Sequence, residues 1–391
     1  MTSSLHRTEA PRESLWPRAD RIRLQAQAAA ADTDRRRRLA PDVVEALRDA
    51  GLMRCAAPAS VGAAQAPPAD ALAGAETIAR GDAATGWCVS IAMATSLLAA
   101  YLPAAGAAEI FGDPRSIAAG VWAPRGTARP VDGGLVVSGR WPFASGITHA
   151  DYFFGGCLVD DGRGEQGGAP AMRTVGIPAA QLRILDDTWQ TSGLRATGSH
   201  DVVAEDVFVP THRTLSLADG PVIDAPLYRF PVFGYFALAI AATALGNARG
   251  AIDDLLDLAG RKLSYGARRT LGEKPVTQTA IAQAEASLRA ARALFYAAIE
   301  DAWCAASTGE AIAMDLRTGL RLAATHAART SADVVRSMYD LGGGSAIYDG
   351  SPLQRRFRDA ATATAHIQVS PATWETTGRM LLGLPTDTDR L

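Results

Sequence analysis

The 391-residue sequence predicts a mainly α protein with a β-domain in its middle. The expected parts are an N-terminal helical domain (1–113), a central β-barrel-like domain (114–215) and a C-terminal four-helix bundle (216–391). Three textures predict it. The first block places apolar residues at helical spacing between Pro and Gly. The second breaks short β-branched and aromatic runs with Gly, Pro and Asp. The third consists of long Ala-rich stretches with few helix breakers. Helices, then strands, then helices excludes the strand–helix alternation of a dinucleotide-binding fold.

In the first block, Pro41 opens a helix that Gly51 stops, because Pro suits a first turn and Gly a left-handed cap. Pro58, Pro67 and Pro68 mark a loop, and a second helix starts at Asp70. Residues 87–102 (WCVSIAMATSLLAAYL) are apolar but short of the roughly 20 residues a bilayer span needs, so they read as a buried helix. The cluster Arg35 to Arg38 reads as a solvated helix face. In the second block, GLVVSGRWPF, DYFFGGCLV, TVGIP and DVVAEDVFVP read as strands, and Asp132-Gly133-Gly134 as a hairpin turn. Residues 159–171 form a polar, Gly-rich loop. In the third block, FALAIAATALGNARGAIDDLLDLAGRK is apolar all round in its first half, which places it at a domain or subunit interface. TAIAQAEASLRAARALFYAAIEDAWCAA and MDLRTGLRLAATHAARTSADVVRSMYDLG are further long helices, and a last helix is expected over 353–383.

Hydrophobic residues make up 48% and charged residues 20%, enough to bury a large core. A net charge of −2 argues against a nucleic-acid partner held by counterion release. Cys55, Cys88, Cys157 and Cys304 are far apart and form no C-x-x-C, which disfavours a zinc ribbon, a redox dithiol or a disulfide framework. The six histidines form no helical metal motif. The first residues lack the apolar core of a signal peptide, so a soluble cytoplasmic protein without a membrane partner is expected. No G-x-G-x-x-G after a strand, no phosphate-binding P-loop and no G-x-S-x-G elbow is present.

Three positions carry candidate chemistry. Ser145, in WPFASG, suits either a turn or a hydrogen-bond partner for a planar heteroaromatic ligand. Gly342-Gly343-Gly344 suits either a helix C-cap or close backbone approach to a phosphate or ribose. His366, after Asp359-AATATA, suits either a satisfied core or a reacting group in the space that small neighbours leave. His149, His200 and His212 fall in or beside loops and read as structural, and His326 as core or interface.

Four stretches in order add a resemblance that spans nearly the whole chain. They are GRWPFASG (139–146), DTWQTSGLRATGSHDVVAEDVFVP (187–210), LGEKPVTQTAIAQAEASLRAAR (271–292) and YDLGGGSAIYDGSPLQRRFRDAATATAH (339–366). Together they resemble the acyl-CoA dehydrogenase superfamily. The likeness is greatest to its monooxygenase branch, the oxygenase components of two-component, reduced-flavin-dependent systems. The resemblance implies that Phe143 and Ser145 line a flavin, with Ser145 near ring nitrogen N5. It implies that Trp122 touches the ring and the substrate, and that Thr191 and Ser192 contact its edge or phosphate tail. It places Arg268 and Gly343 at the flavin of a neighbouring subunit, which implies a homotetramer. Arg suits that role because its planar fork pairs with phosphate oxygens. It also implies reduced FMN or FAD delivered by a separate NAD(P)H:flavin reductase, with O2 and a small organic molecule as substrates.

One substitution decides between activities. A dehydrogenase of this superfamily commonly carries a Glu shortly after its Arg-Asp pair, to remove an α-proton from an acyl thioester. Here Arg358-Asp359 is followed by no carboxylate until Glu375, and the slot holds His366. The resemblance therefore implies a monooxygenase acting through a flavin C4a-hydroperoxide, with His366 and Ser145 as catalytic residues. The alternatives are an acyl-CoA dehydrogenase or flavin oxidase with an unrecognised base, and a catalytically silent scaffold. Members acting on phenols carry a His on the third helix, and residues 87–102 contain none. An already nucleophilic substrate is expected instead: an amine such as an amino-sugar nitrogen, an indole or an electron-rich polyketide ring.

Overall fold

The computed structural model describes residues 16–160, 171–263, 268–309, 311–389 and 391. The first 15 residues and most of the Gly-rich loop at 159–171 lie outside them. The N-terminal block holds α1 (Trp16–Arg36), α2 (Pro41–Ala50), α3 (Pro68–Gly81), α4 (Ala83–Ser96) and α5 (Ala104–Phe111). Pro41 occupies the first turn of α2, and Gly51 closes it at φ 66°, donating its N–H to the Arg48 carbonyl. Asp82 caps α4 by accepting the Thr85 N–H at 2.8 Å. All 14 residues of α4 are buried.

Arg35 and Arg36 pair with Asp32 on the solvated face of α1. Arg37 departs from that expectation. It lies past the helix end at φ 55° and donates to the Trp189 carbonyl at 3.0 Å. One member of the basic cluster thus ties the first helix to a loop of the β-domain.

The sheet contains β1 (Ala118–Val131), β2 (Gly134–Trp141), β3 (Tyr152–Val159), β4 (Met172–Pro178), β5 (Arg183–Leu185), β6 (Asp201–Pro210) and β7 (Thr214–Leu215). Its order is β5-β6-β2-β1-β3-β4-β7; β1 and β3 are parallel, and the other pairs are antiparallel. β4 also approaches β6, four ladder positions away, so the sheet curls on itself. Val131 pairs with Gly134, leaving Asp132-Gly133 as a two-residue turn with Gly133 at φ 73°. Trp141 ends β2 fully buried and donates its indole N–H to the Gly156 carbonyl at 2.8 Å.

The third block holds α6 (Pro226–Arg229), α7 (Val232–Arg261), α8 (Pro275–Thr308), α9 (Met314–Gly342), α10 (Pro352–Ala363) and α11 (Ala372–Leu381). α7 packs on α3 and α4 as well as on α9, which explains its apolar circumference. The first and third blocks share one hydrophobic cluster, and the sheet keeps a second. Residues 83–101 and 232–261 are apolar and long enough to cross a bilayer, but 100% and 78% of these windows are buried inside the fold, as core helices are.

The expected last helix is broken. α10 ends at Ala363, His366 is extended (φ −67°, ψ 134°), a short 3-10 turn covers Ile367–Val369, and α11 follows. Pro371 is the local cause. It lacks an N–H, and its ring forces Ser370 to φ −69°, ψ 164°. His366 therefore stands at a break between helices, not on a helix face.

Candidate active site

The segment after β2 is set by two left-handed residues, Phe143 at φ 66° and Gly146 at φ 78°. Phe143 is 67% exposed and sets its ring edge-on to Trp189 at 6.2 Å. A bulky residue with positive φ is a local strain, typically 1–3 kcal/mol, retained where the surroundings impose it. Here Ala144 donates to the His200 carbonyl at 3.2 Å and Gly146 to the Thr197 carbonyl at 2.9 Å. These two backbone bonds stitch residues 143–146 to 197–200 and bring Ser145 against Ser199.

Ser145 is buried within a line of polar side chains. Its Oγ accepts the Trp87 Nε1–H at 3.1 Å and lies 2.8 Å from Ser199 Oγ. Ser199 Oγ lies 2.6 Å from Thr197 Oγ1, which donates to the Leu194 carbonyl at 2.8 Å. Leu194 is itself left-handed at φ 49° and gives its N–H to the buried carboxyl of Asp359 at 2.6 Å. Desolvation, and then Asp82, push the Asp359 carboxyl up to about 7.

Trp87 links this line to His366. The two rings meet edge to face at 5.6 Å and 72°. The imidazole also meets Phe236 at 5.5 Å and 80°, and Phe236 lies 4.9 Å from Trp122. His366 Nδ1 accepts the Gln368 N–H at 3.3 Å. A backbone N–H can only donate, so Nδ1 carries no proton and Nε2 does. His366 keeps partial exposure, yet burial first, and the Arg321 guanidinium second, hold its pKa down to about 4. Arg321 is anchored by the Gln368 carbonyl at 3.0 Å, and burial lowers its own pKa to about 10. The imidazole is thus a neutral N–H donor at physiological pH. Two surface cavities of about 580 and 560 Å³ are lined by other residues, many of them Arg, Asp, Ala or Gly; neither includes His366, Ser145 or Trp122.

Comparison with known proteins gives the arrangement a family. The family models for acyl-CoA dehydrogenase match at its N-terminal domain (residues 20–110) and its C-terminal domain (residues 238–371). An indole-3-acetate monooxygenase of Pseudomonas putida is 36% identical over 93% of this chain and 91% of its own. The crystal structure of a 3-HSA hydroxylase from Rhodococcus sp. RHA1 superposes with a TM-score of 0.90 at 28% identity, over 98% of this chain and all (100%) of that one. XiaF from Streptomyces sp., solved with FADH2 and glycerol, gives 0.88 at 26% identity over 96% and 97% of the two chains. The chain belongs to the acyl-CoA dehydrogenase superfamily, among the oxygenase components of flavin-dependent monooxygenases. It is not an acyl-CoA dehydrogenase, in keeping with the missing carboxylate between Asp359 and Glu375.

For this flavin-dependent oxygenase, the residues expected from the sequence divide into two sets. Trp122, Ser145 and His366 are joined by ring contacts and one hydrogen bond through Phe236 and Trp87. Phe143 flanks them on Trp189. Thr191 donates to the Gly193 carbonyl at 2.9 Å, and the Ser192 carbonyl accepts from Arg358. Their loop therefore packs on the Arg358-Asp359 pair. Arg268 is exposed between α7 and α8, and among the described residues no hydrogen bond or ring contact links it to Ser145, Trp122 or His366. Gly343 caps α9 at φ 51° and ψ −145°, a conformation suited to glycine, beside Lys262, whose ammonium donates to the Gly342 carbonyl at 2.6 Å. Within one chain it is a helix cap.

Sequence reasoning missed Trp87, Phe236, Ser199 and Thr197. Trp87 and Phe236 sit in segments apolar on every side, where periodicity marks no special face. Ser199 and Thr197 lie inside a quoted motif, but only the fold sets them against Ser145.

These residues fit a flavin: the exposed Phe143 ring on a strained backbone, the half-buried rings of Trp122 and Phe236, and the Ser145 hydroxyl are groups that suit a planar polar ring.

Proposed function

We propose that Ser145, Trp122 and Phe143 hold the isoalloxazine ring, and that neutral His366 donates a hydrogen bond from its Nε2–H to the oxygen on which negative charge develops in the oxygenation step. Reduced flavin, when bound, supplies the electrons that activate O2. Neutral His366 offers an Nε2–H, and it needs no titration to do so at pH 7. A preorganised hydrogen-bond donor of this kind contributes about 10²–10³ in rate. Trp87 and Phe236 pack against the imidazole and limit the water around it. Thr191 and Ser192 stand beside Phe143 through Trp189 and are assigned to the flavin edge. The observation that carries the reading is the unbroken contact from Ser145 through Trp87 to His366.

The substrate is a planar, electron-rich aromatic of the indole class. Trp122, Phe233 and Phe236 offer ring faces and edges, α4 supplies no His to deprotonate a phenol, and the Pseudomonas relative is an indole-3-acetate monooxygenase. Assembly as a homotetramer, with Arg268 and Gly343 serving a neighbouring subunit's flavin, accounts for the exposed apolar side chains of Leu256, Val276, Ile347 and Tyr348 on the helical bundle. A separate flavin reductase supplies the reduced cofactor.

The test is coupling. Purified protein is mixed anaerobically with reduced FMN and an indole substrate, then aerated; hydroxylated product and hydrogen peroxide are both measured. His366→Ala is expected to lower product per flavin at least tenfold while peroxide rises to match. Unchanged product per flavin would remove His366 from the reaction.

A further inference from the structure

The hydroxyl line behind Ser145 has one direction that leaves no two oxygen lone pairs in contact. The Leu194 carbonyl also accepts the Trp189 indole N–H at 3.0 Å, but its 2.8 Å approach to Thr197 Oγ1 still requires a hydrogen between the two oxygens. At one end the Trp87 indole N–H can only donate; at the other the Leu194 carbonyl can only accept. Thr197 gives its single hydroxyl hydrogen to Leu194. The hydrogen between Thr197 and Ser199 therefore belongs to Ser199, and the one between Ser199 and Ser145 belongs to Ser145. Ser145 is left with a lone pair for anything in front of it. Reversing the line would set two oxygen lone pairs face to face between Thr197 and Leu194, in a place closed to water. The anchoring carbonyl is itself fixed, because Asp359 holds the Leu194 N–H in a left-handed turn.

We propose that Ser199 and Thr197 are positioning residues that give this oxygenase its preference for reduced over oxidised flavin. They fix the Ser145 hydroxyl as an acceptor. Reduced flavin carries a hydrogen on N5 and can donate to it. Oxidised flavin presents a bare nitrogen there and meets lone pair with lone pair. The inference rests on the placement of Ser145 beside N5 given above.

Affinities for oxidised and reduced FMN are measured separately, by fluorescence quenching in air and by anaerobic titration. Ser199→Ala removes the inward acceptor and lets the Ser145 hydrogen turn outward. The preference for reduced flavin is expected to fall about five- to tenfold, the weight of one hydrogen bond, equivalent to about 20–30 mV in a two-electron potential. Thr197→Val keeps the side-chain shape and is expected to shift the ratio the same way, since Ser199 then donates to Ser145. It also stands in for Ser199→Ala should that variant not fold. Ser199→Thr, which retains the hydroxyl, is expected to restore the wild-type ratio. Suppose Ser145→Ala weakens reduced-flavin binding but Ser199→Ala and Thr197→Val leave the ratio unchanged. The directional role is then wrong, and the Ser145 contact stands. If Ser145→Ala leaves both affinities unchanged, Ser145 is not at the flavin, and both readings fall.

Discussion

At the residue scale, two titratable groups on neighbouring segments, the buried Asp359 and the partly exposed His366, act in opposite directions with pH. The His366 pKa is about 4 in the folded chain against 6.5 unfolded, so the unfolded chain takes up that proton first. Its share of stability is complete above pH 6.5 and is lost as pH falls toward 4. Product per flavin is accordingly expected to show no histidine inflection near pH 6.5. An inflection there that disappears in His366→Ala would contradict the neutral imidazole. Asp359 is raised to about 7 from 3.8, so its share is complete below pH 3.8 and is lost as pH rises to about 7. Asp359→Asn retains an oxygen to accept the Leu194 N–H and removes the buried charge. In urea unfolding across pH 4–7, this variant is expected to gain on the wild type as pH rises; a constant difference would show that the carboxyl does not titrate there. Phe143→Gly tests the strained platform. Glycine tolerates φ 66°, so stability is expected to stay within about 1 kcal/mol of wild type or to rise, while flavin affinity falls. Equal flavin affinity would show that the exposed ring contacts no cofactor.

At the element scale, local chemistry explains most boundaries. Pro41 and Gly51 delimit α2, and Asp132-Gly133 turns the β1–β2 hairpin, because each residue supplies the dihedral that its position requires. The break between α10 and α11 was also written locally, in Ser370-Pro371, but the Ala- and Thr-rich run before it masks the stop. Within the sheet, Gly126 is needed because a Cβ there would lie 2.3 Å from the Trp141 ring. Gly126→Ala is expected to destabilise the protein by about 1–3 kcal/mol or more, read as a lowered thermal midpoint. An unchanged midpoint would mean that Trp141 has room to move. The same indole bonds Gly156 and ends the strand leading into Phe143 and Ser145, so flavin affinity should fall with stability in this variant.

At the scale of the whole molecule, the helices of the first and third blocks form one core, and the curled sheet sits beside it with its own. The site lies where α4, β1, the segment after β2, α7 and the break after α10 meet. Each contributes one or two side chains, and none of them forms the site alone. The exposed pair Leu381 and Leu382, each 74% exposed, ends α11. Light scattering is expected to give a tetramer. Substituting both leucines by Glu is expected to reduce the measured mass if α11 takes part in assembly; an unchanged tetramer would place the interface on the α7 and α8 faces.

The sequence by itself determined the order of helical and strand blocks, the turn and cap positions, and the replacement of a carboxylate by His366, because periodicity, dihedral preference and residue chemistry are all local. Tertiary structure alone decided which groups face one another. Trp87, Ser199 and Phe236 converge on Ser145 and His366 across long stretches of chain. It also set the Gln368 N–H against His366 Nδ1, leaving the proton to Nε2, and laid Ser145, Ser199 and Thr197 in the line from which the inward Ser145 hydrogen is proposed. A hydrogen bond's direction depends on every partner in its line, and only the folded chain supplies all of them.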